Sequence, residues 1–340
     1  MDIDLFDFNL PDRLIAQKPL ENRESSKLMV VNRKEDSVVH SEFFNVVNYM
    51  EKDDVLVLND TRVVPARIYG VSRYGGKIEF LLVKNIEGRI WEVMCKPGKR
   101  ASIGKKFHFG NGEIEATVIG IKPDGNRIVE LIYDGNIYDV LNRNGDIPIP
   151  PYIKEVLYDK ERYQTVYSDK MGSIAAPTAG LHFTKELLCR IKNKGVKIVY
   201  VTLHVGLGTF MHVKTKNISD HFMHSEYYEI SDYTAEVINF AKSRGNKIIS
   251  VGTTTVRVLE TVFTRNGKCI GDKGYTDIFI KPGYKFKAID SLITNFHLPK
   301  STLIILISAF YNREKILTIY EKAILNNYRF FSFGDSMIII

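Results

Sequence analysis

Apolar residues run almost unbroken through short stretches in the first and last thirds of the chain, and alternate with polar ones in between. KLMVVNR (27–33), DVLVLND (54–60), VKIVYVTL (196–203) and NKIISVG (246–252) read as strands buried on both faces. Between and after them the spacing turns helical. Helices are predicted over 185–194, 231–245, 253–263, 301–311 and 314–326, with a shorter helical stretch in DRLIAQKPL (12–20). Thr184 is placed to cap the first of these, Glu186 suits the positive end of its dipole, and Gly195 closes it.

From Val63 to Pro148 the period shortens to two. GKIEFLLVK, RIWEVMCKP, KKFHF, EIEATVIGIK and RIVELIY are separated by Gly, Asn and Asp turns, and the Pro-rich GDIPIPPYI ends the run. Short strands at this spacing predict a closed barrel, which leaves no exposed strand edge. The predicted fold class is α/β. An α/β/α-type body, its sheet largely parallel, is built from residues 1–61 and 154–340, with a small all-β barrel domain, 62–153, inserted. Insertion is expected because the first third holds too few elements to stand alone; two domains in tandem are the alternative.

Composition narrows the class. Among 340 residues the apolar run Leu303–Phe310 is too short for a membrane span, which needs roughly 20 residues. The start, MDIDLFDFNLP, is acidic where a signal peptide is basic. Cys95, Cys189 and Cys269 are isolated, which argues against a disulfide framework or a cysteine metal site. A cytoplasmic monomer without a membrane partner is expected. The net charge of +7 is uneven: residues 1–61 carry 7 Lys and Arg against 13 Asp and Glu, residues 154–340 carry 26 against 17. A basic surface of that size suits a polyanion such as RNA.

Open parallel sheets take ligands beyond the carboxyl ends of their strands. VTLHVGLGTF (201–210) delivers His204 to such an end, with Gly206 and Gly208 allowing close backbone approach. SVGTTTVRVLE (250–260) ends in a glycine and opens a helix with Thr253, Thr254 and Arg257, a geometry suited to an anion. SDHFMHSEYYEI (219–230) groups Asp220, His221, His224 and Glu226 for proton transfer, although the spacing is not that of a zinc motif. In the 276–302 stretch Lys281 and Lys285 interleave with aromatics, and His297 lies further along. SIAAPTAGLHFT places Thr178 and His182 in a small-residue turn. Three classes remain open on these residues: an α/β enzyme with a polar cleft, a non-catalytic RNA-binding protein, and a metal-dependent hydrolase built on His221, His224 and Glu226.

LNDTRVVPARI (58–68), RYQTVYSDKMGSIAAPTAGLHFT (162–184), VTLHVGLGTF, DHFMHSEYYEI, VGTTTVRVLE, TDIFIKPGYKFKAIDSLITNFHLPKST and RFFSFGDSM together resemble the S-adenosylmethionine:tRNA ribosyltransferase-isomerases of queuosine synthesis, from Phe6 to Met337. The resemblance implies an α/β body with an inserted barrel. It also implies that S-adenosylmethionine is a consumed ribosyl donor, that the acceptor is the preQ1 base at the wobble position of tRNA, and that no cofactor or metal takes part. On this reading His204 is the candidate acid or base, with Asp220, His221 and His224 as alternatives. Thr178, His182, Gly206, Gly208, Thr253, Thr254 and Arg257 would bind substrate, and Arg62, Lys281, Lys285 and His297 would contact RNA.

Overall fold

The computed structural model describes residues 1–206, 213 and 215–340. They fall into two compact units: Met1–Arg62 with Pro151–Lys170 and Ala176–Ile340, and Val63–Pro150 with Met171–Ala175.

The first unit is built on a nine-stranded sheet. Its strands lie in the order Asp272–Thr276, Glu226–Ile230, Lys197–Leu203, Val55–Asn59, Ile248–Val251, Ser291–Asn295, Ser336–Ile339, Lys27–Asn32, Ser37–Glu42. The four from Lys197–Leu203 to Ser291–Asn295 run parallel, with Leu56 level with both Ile198 and Ile249. Every residue of Val55–Asn59 is buried, as its apolar run requires, and so is every residue of Ser291–Asn295, three of them polar. One face of the sheet (Leu56, Leu58, Ile249, Val251, Ile293) packs with Phe43, Val46, Phe183, Leu187 and Ile191. Helices Asp232–Ser243 and Thr253–Asn266 also lie against its central strands.

Two expectations need correction. The sheet is mixed rather than largely parallel: Glu226–Ile230 and Asp272–Thr276 add antiparallel at one edge, Ser336–Ile339 runs antiparallel to Ser291–Asn295, and beyond it Lys27–Asn32 pairs parallel with Ser336–Ile339. Antiparallel neighbours need no crossover helix, and at the far edge Ser37–Glu42 returns directly along Lys27–Asn32. The 12–20 stretch makes only one tight turn, Asp12–Leu14. Beyond it the chain is drawn out against Phe330, which accepts from Ala16 N at 3.1 Å and donates to Leu14 O at 2.8 Å.

The second unit is a closed six-stranded antiparallel barrel. Arg67–Ser72, Lys77–Glu87, Ile90–Lys96, Arg127–Ile132, Ile114–Ile121 and Lys106–Phe109 lie side by side in that order, and the last pairs back to the first. Closure depends on Gly70, where a Cβ would lie 2.4 Å from His108 O and from the Phe109 ring. Phe80, Phe107 and Phe109 fill the interior, with ring centroids 5.0–5.5 Å apart. The stretch read as wholly β also contains a helix, Ile137–Asn144, capped by Asn136 and anchored by Val140 and Leu141.

Candidate active site at the carboxyl edge of the parallel strands

Two buried asparagines end two of the parallel strands and organise the loops beyond them. Asn59 Nδ2 donates to Leu203 O at 3.1 Å and to Thr254 Oγ1 at 3.2 Å, while its Oδ1 accepts from Leu203 N and Thr61 N. One amide thus joins two strand ends to the start of helix Thr253–Asn266. Thr61 Oγ1 then lies 2.7 Å from His204 Nδ1, and Tyr227 stacks on the imidazole at 5.6 Å. Burial, and secondarily the charge of Lys170, lowers the His204 pKa to about 4, so the ring is neutral at pH 7.

Asn295 builds the other half. Its Nδ2 lies 3.2 Å from His182 Nε2 and donates to Phe331 O, and its Oδ1 accepts from Thr178 Oγ1. His182 Nδ1 meets Ser26 Oγ at 2.8 Å and the ring packs beside Phe43. Burial first, then the charges of Arg329 and Arg23, pushes the His182 pKa down to about 3. Both ring nitrogens are engaged, so His182 braces the turn and presents one edge to a cleft formed with Arg23, Arg329 and Ser332.

A second, narrow cleft opens at the start of helix Thr253–Asn266. Thr253, Thr254 and Arg257 line it opposite Ile278, Phe279 and Leu303. Gly252, at φ +85°, brings the backbone from strand to helix there. Arg257 is not a free cation: its guanidinium is paired with Glu226 inside the protein, at 5% and 4% side-chain exposure. The other Glu226 oxygen accepts from Gly206 N at 2.7 Å.

The remaining expected residues are dispersed. Asp220 and His224 are exposed, and His221 packs edge-on against Phe279 at 5.3 Å. Among the described residues no three His, Cys, Asp or Glu side chains converge as metal ligands, and Glu226 is turned to Arg257. Arg62 bonds Ser168 and Glu161, Lys281 bonds Ser219 at 3.3 Å, and Lys285 is exposed. His297 is 7% exposed, its Nε2 bonded to Thr294 Oγ1, which corrects its assignment as an RNA contact. An interior imidazole offers a phosphate no surface. Gly208 lies outside the described residues.

Sequence reasoning passed over Asn59, Thr61 and Asn295, although the lone amide closing the apolar run VLVLN was a readable signal for Asn59. It also passed over Glu260, a buried carboxylate that accepts from Tyr284 Oη, Lys287 N and Ala288 N and so holds the basic 281–287 turn. No local pattern marks that role. No helix among the described residues is long and apolar enough to cross a membrane.

Strand ends tied by buried amides, a neutral histidine and a cleft at a helix start define an enzyme of the α/β class that works on a polar ligand. Residues 3–339 match the family model described as queuosine biosynthesis protein. S-adenosylmethionine:tRNA ribosyltransferase-isomerases from two strains of Clostridium kluyveri are each 56% identical over 340 residues, covering 100% of both chains. The crystal structure of the S-adenosylmethionine tRNA ribosyltransferase of Thermotoga maritima, 36% identical, covers 99% of this chain and 100% of that one with a TM-score of 0.58. The chain belongs to the queuosine biosynthesis protein family, that of the S-adenosylmethionine:tRNA ribosyltransferase-isomerases.

Proposed function

We propose that this enzyme moves the ribosyl unit of S-adenosylmethionine onto the aminomethyl nitrogen of preQ1 at the tRNA wobble position and rearranges it to the epoxycyclopentane ring of epoxyqueuosine. Adenine and methionine leave with the electron pairs of the broken C–N and C–S bonds. The reading rests on 56% identity, end to end, with enzymes of that name. The donor is consumed as a substrate, and the reaction calls for no metal or redox cofactor.

The site residues suit these steps. The sulfonium acidifies the adjoining carbon, and a neutral imidazole can accept that proton. With Nδ1 facing Thr61, the His204 Nε2 is the atom left to do so. The start of helix Thr253–Asn266 takes the donor's carboxylate, through backbone N–H groups and the Thr253 and Thr254 hydroxyls. Arg257 supports it indirectly by fixing Glu226, and through it Gly206. Lys281 and Lys285 face the RNA, whose target base must be splayed out to react.

The test is incubation with S-adenosylmethionine and tRNA carrying preQ1, read by nucleoside mass spectrometry and adenine release. Adenine together with the epoxycyclopentane adduct is the expected result. Folded protein that binds the tRNA yet forms neither product would be an RNA-binding protein instead.

A further inference from the structure

Three arginines from distant parts of the chain meet at the cleft beside His182. Arg23, Arg162 and Arg329 are the only formally charged residues among the described ones that line it, and no carboxylate does. Their partners are mostly backbone carbonyls. Arg23 donates to Glu161 O, Gln164 O and Leu181 O at 2.9–3.2 Å. Arg162 donates to Leu20 O and Glu21 O, and its Nε is buried without a partner. Carbonyls orient a guanidinium but do not cancel its charge. Only Arg329 has an acid, Asp335, at 3.4 Å, and that carboxylate also accepts from Lys27 N and Arg329 N. The nearby Glu161 is taken by Arg62, and Asp159 caps the turn beginning at Lys160.

Arg162 also borders an adjoining open groove that carries Tyr158, 95% exposed, and Val156, 71% exposed. The other charges there are Lys18 and Glu155, which pair with each other at 2.6 Å, and the exposed Glu21. A cationic cleft next to a bare aromatic ring is how single-stranded nucleic acid is held: guanidinium on phosphate, ring on base.

We propose that Arg23, Arg162 and Arg329 bind a phosphodiester of the RNA substrate, and that Tyr158 stacks on a neighbouring unpaired base. This rests on the proposed reading that tRNA is a substrate. The charge of the other substrate decides between them. S-adenosylmethionine carries one carboxylate against an ammonium and a sulfonium, a net positive charge, so a cleft lined by three guanidinium groups and no carboxylate repels it and attracts the RNA backbone.

The experiment measures tRNA binding over a range of salt concentrations, with steady-state kinetics, for wild type, Arg162→Gln, Arg329→Gln and Tyr158→Ala. Each arginine variant is expected to raise the tRNA Kd about tenfold and to lower the slope of log K against log salt by roughly 0.7–1. The KM for S-adenosylmethionine should stay at the wild-type value. Tyr158→Ala should weaken tRNA binding several-fold without changing the slope, and Tyr158→Phe should restore it. Folded arginine variants with wild-type tRNA affinity and slope would overturn the proposal. So would a raised KM for S-adenosylmethionine with tRNA binding intact, which would make the cleft a donor carboxylate site. If the arginine variants fail to fold, Tyr158→Ala decides, since an almost fully exposed ring supports no core; unchanged affinity there overturns the proposal. Wild-type protein that binds no tRNA would overturn the tRNA reading itself, a result separate from any difference among variants.

Discussion

Glu226 and Arg257 form an ion pair sealed inside the α/β unit, and the carboxylate oxygen not facing the guanidinium accepts the backbone N–H of Gly206 at 2.7 Å. The pair therefore links the helix that opens the candidate donor cleft to the loop after His204. Removing one partner strands a buried charge. Arg257→Met should cost about 3–5 kcal/mol of stability. Glu226→Gln should cost less, because its one remaining carbonyl oxygen can still accept from Arg257, leaving Gly206 N without its acceptor. Chemical denaturation of both variants checks the order; equal and small losses would show that the pair is solvated.

His204 is the residue placed to accept a proton, and Thr61 positions it. His204→Ala should reduce turnover by about a hundredfold or more, with tRNA affinity unchanged. Thr61→Val should lower kcat with little change in either KM, because it removes the bond to Nδ1 and not the ring. With the pKa held to about 4, the base is already neutral above about pH 5, so its limb of the pH–rate profile should appear only as pH falls towards that value. A limb near the ordinary histidine value of about 6.5 that disappears in His204→Ala would contradict the buried, neutral ring.

Acid should destabilise the fold through its interior histidines. Burial pushes His182 and His297 down to about 3, while an unfolded histidine titrates near about 6.5. Between these values the unfolded chain binds the proton and the native one does not. Stability is then fully present above about pH 6.5 and falls with pH by about 1.4 kcal/mol per unit for each such histidine. His297→Gln lowers overall stability but should flatten this dependence. Denaturation at about pH 7 and about pH 5, on either side of the unfolded value, measures it. Identical pH dependence in the variant would remove His297 from the effect.

Glu260 should matter to RNA binding without touching RNA. Its carboxylate gathers Tyr284, Lys287 and Ala288, so Glu260→Ala releases the turn that carries Lys281 and Lys285. A stability loss of about 1–3 kcal/mol is expected from the unsatisfied donors, together with weaker tRNA binding. Unchanged tRNA affinity in the folded variant would place the RNA path elsewhere.

The information held in the sequence was local. Unbroken apolar runs identify Val55–Asn59 as an interior strand, because residues buried on both faces can only be apolar or fully bonded, whereas Lys197–Leu203, read the same way, leaves Lys197 and Tyr200 exposed. Thr184 accepts from Leu187 N as its position before the helix implied, and alternation with glycine turns marked the barrel strands. The family's strings were also legible, since they are long and in order. Partnership was decided only by the tertiary structure. Thr61 and His204 meet across 143 positions, and Arg257 is neutralised by Glu226, on a strand two places from Val55–Asn59 in the sheet. His297 is interior, whereas Arg23, Arg162 and Arg329 share a cleft without an acid. A side chain's charge state and reach depend on what the strand order brings beside it, and the periodicity of its own segment carries no record of that neighbour.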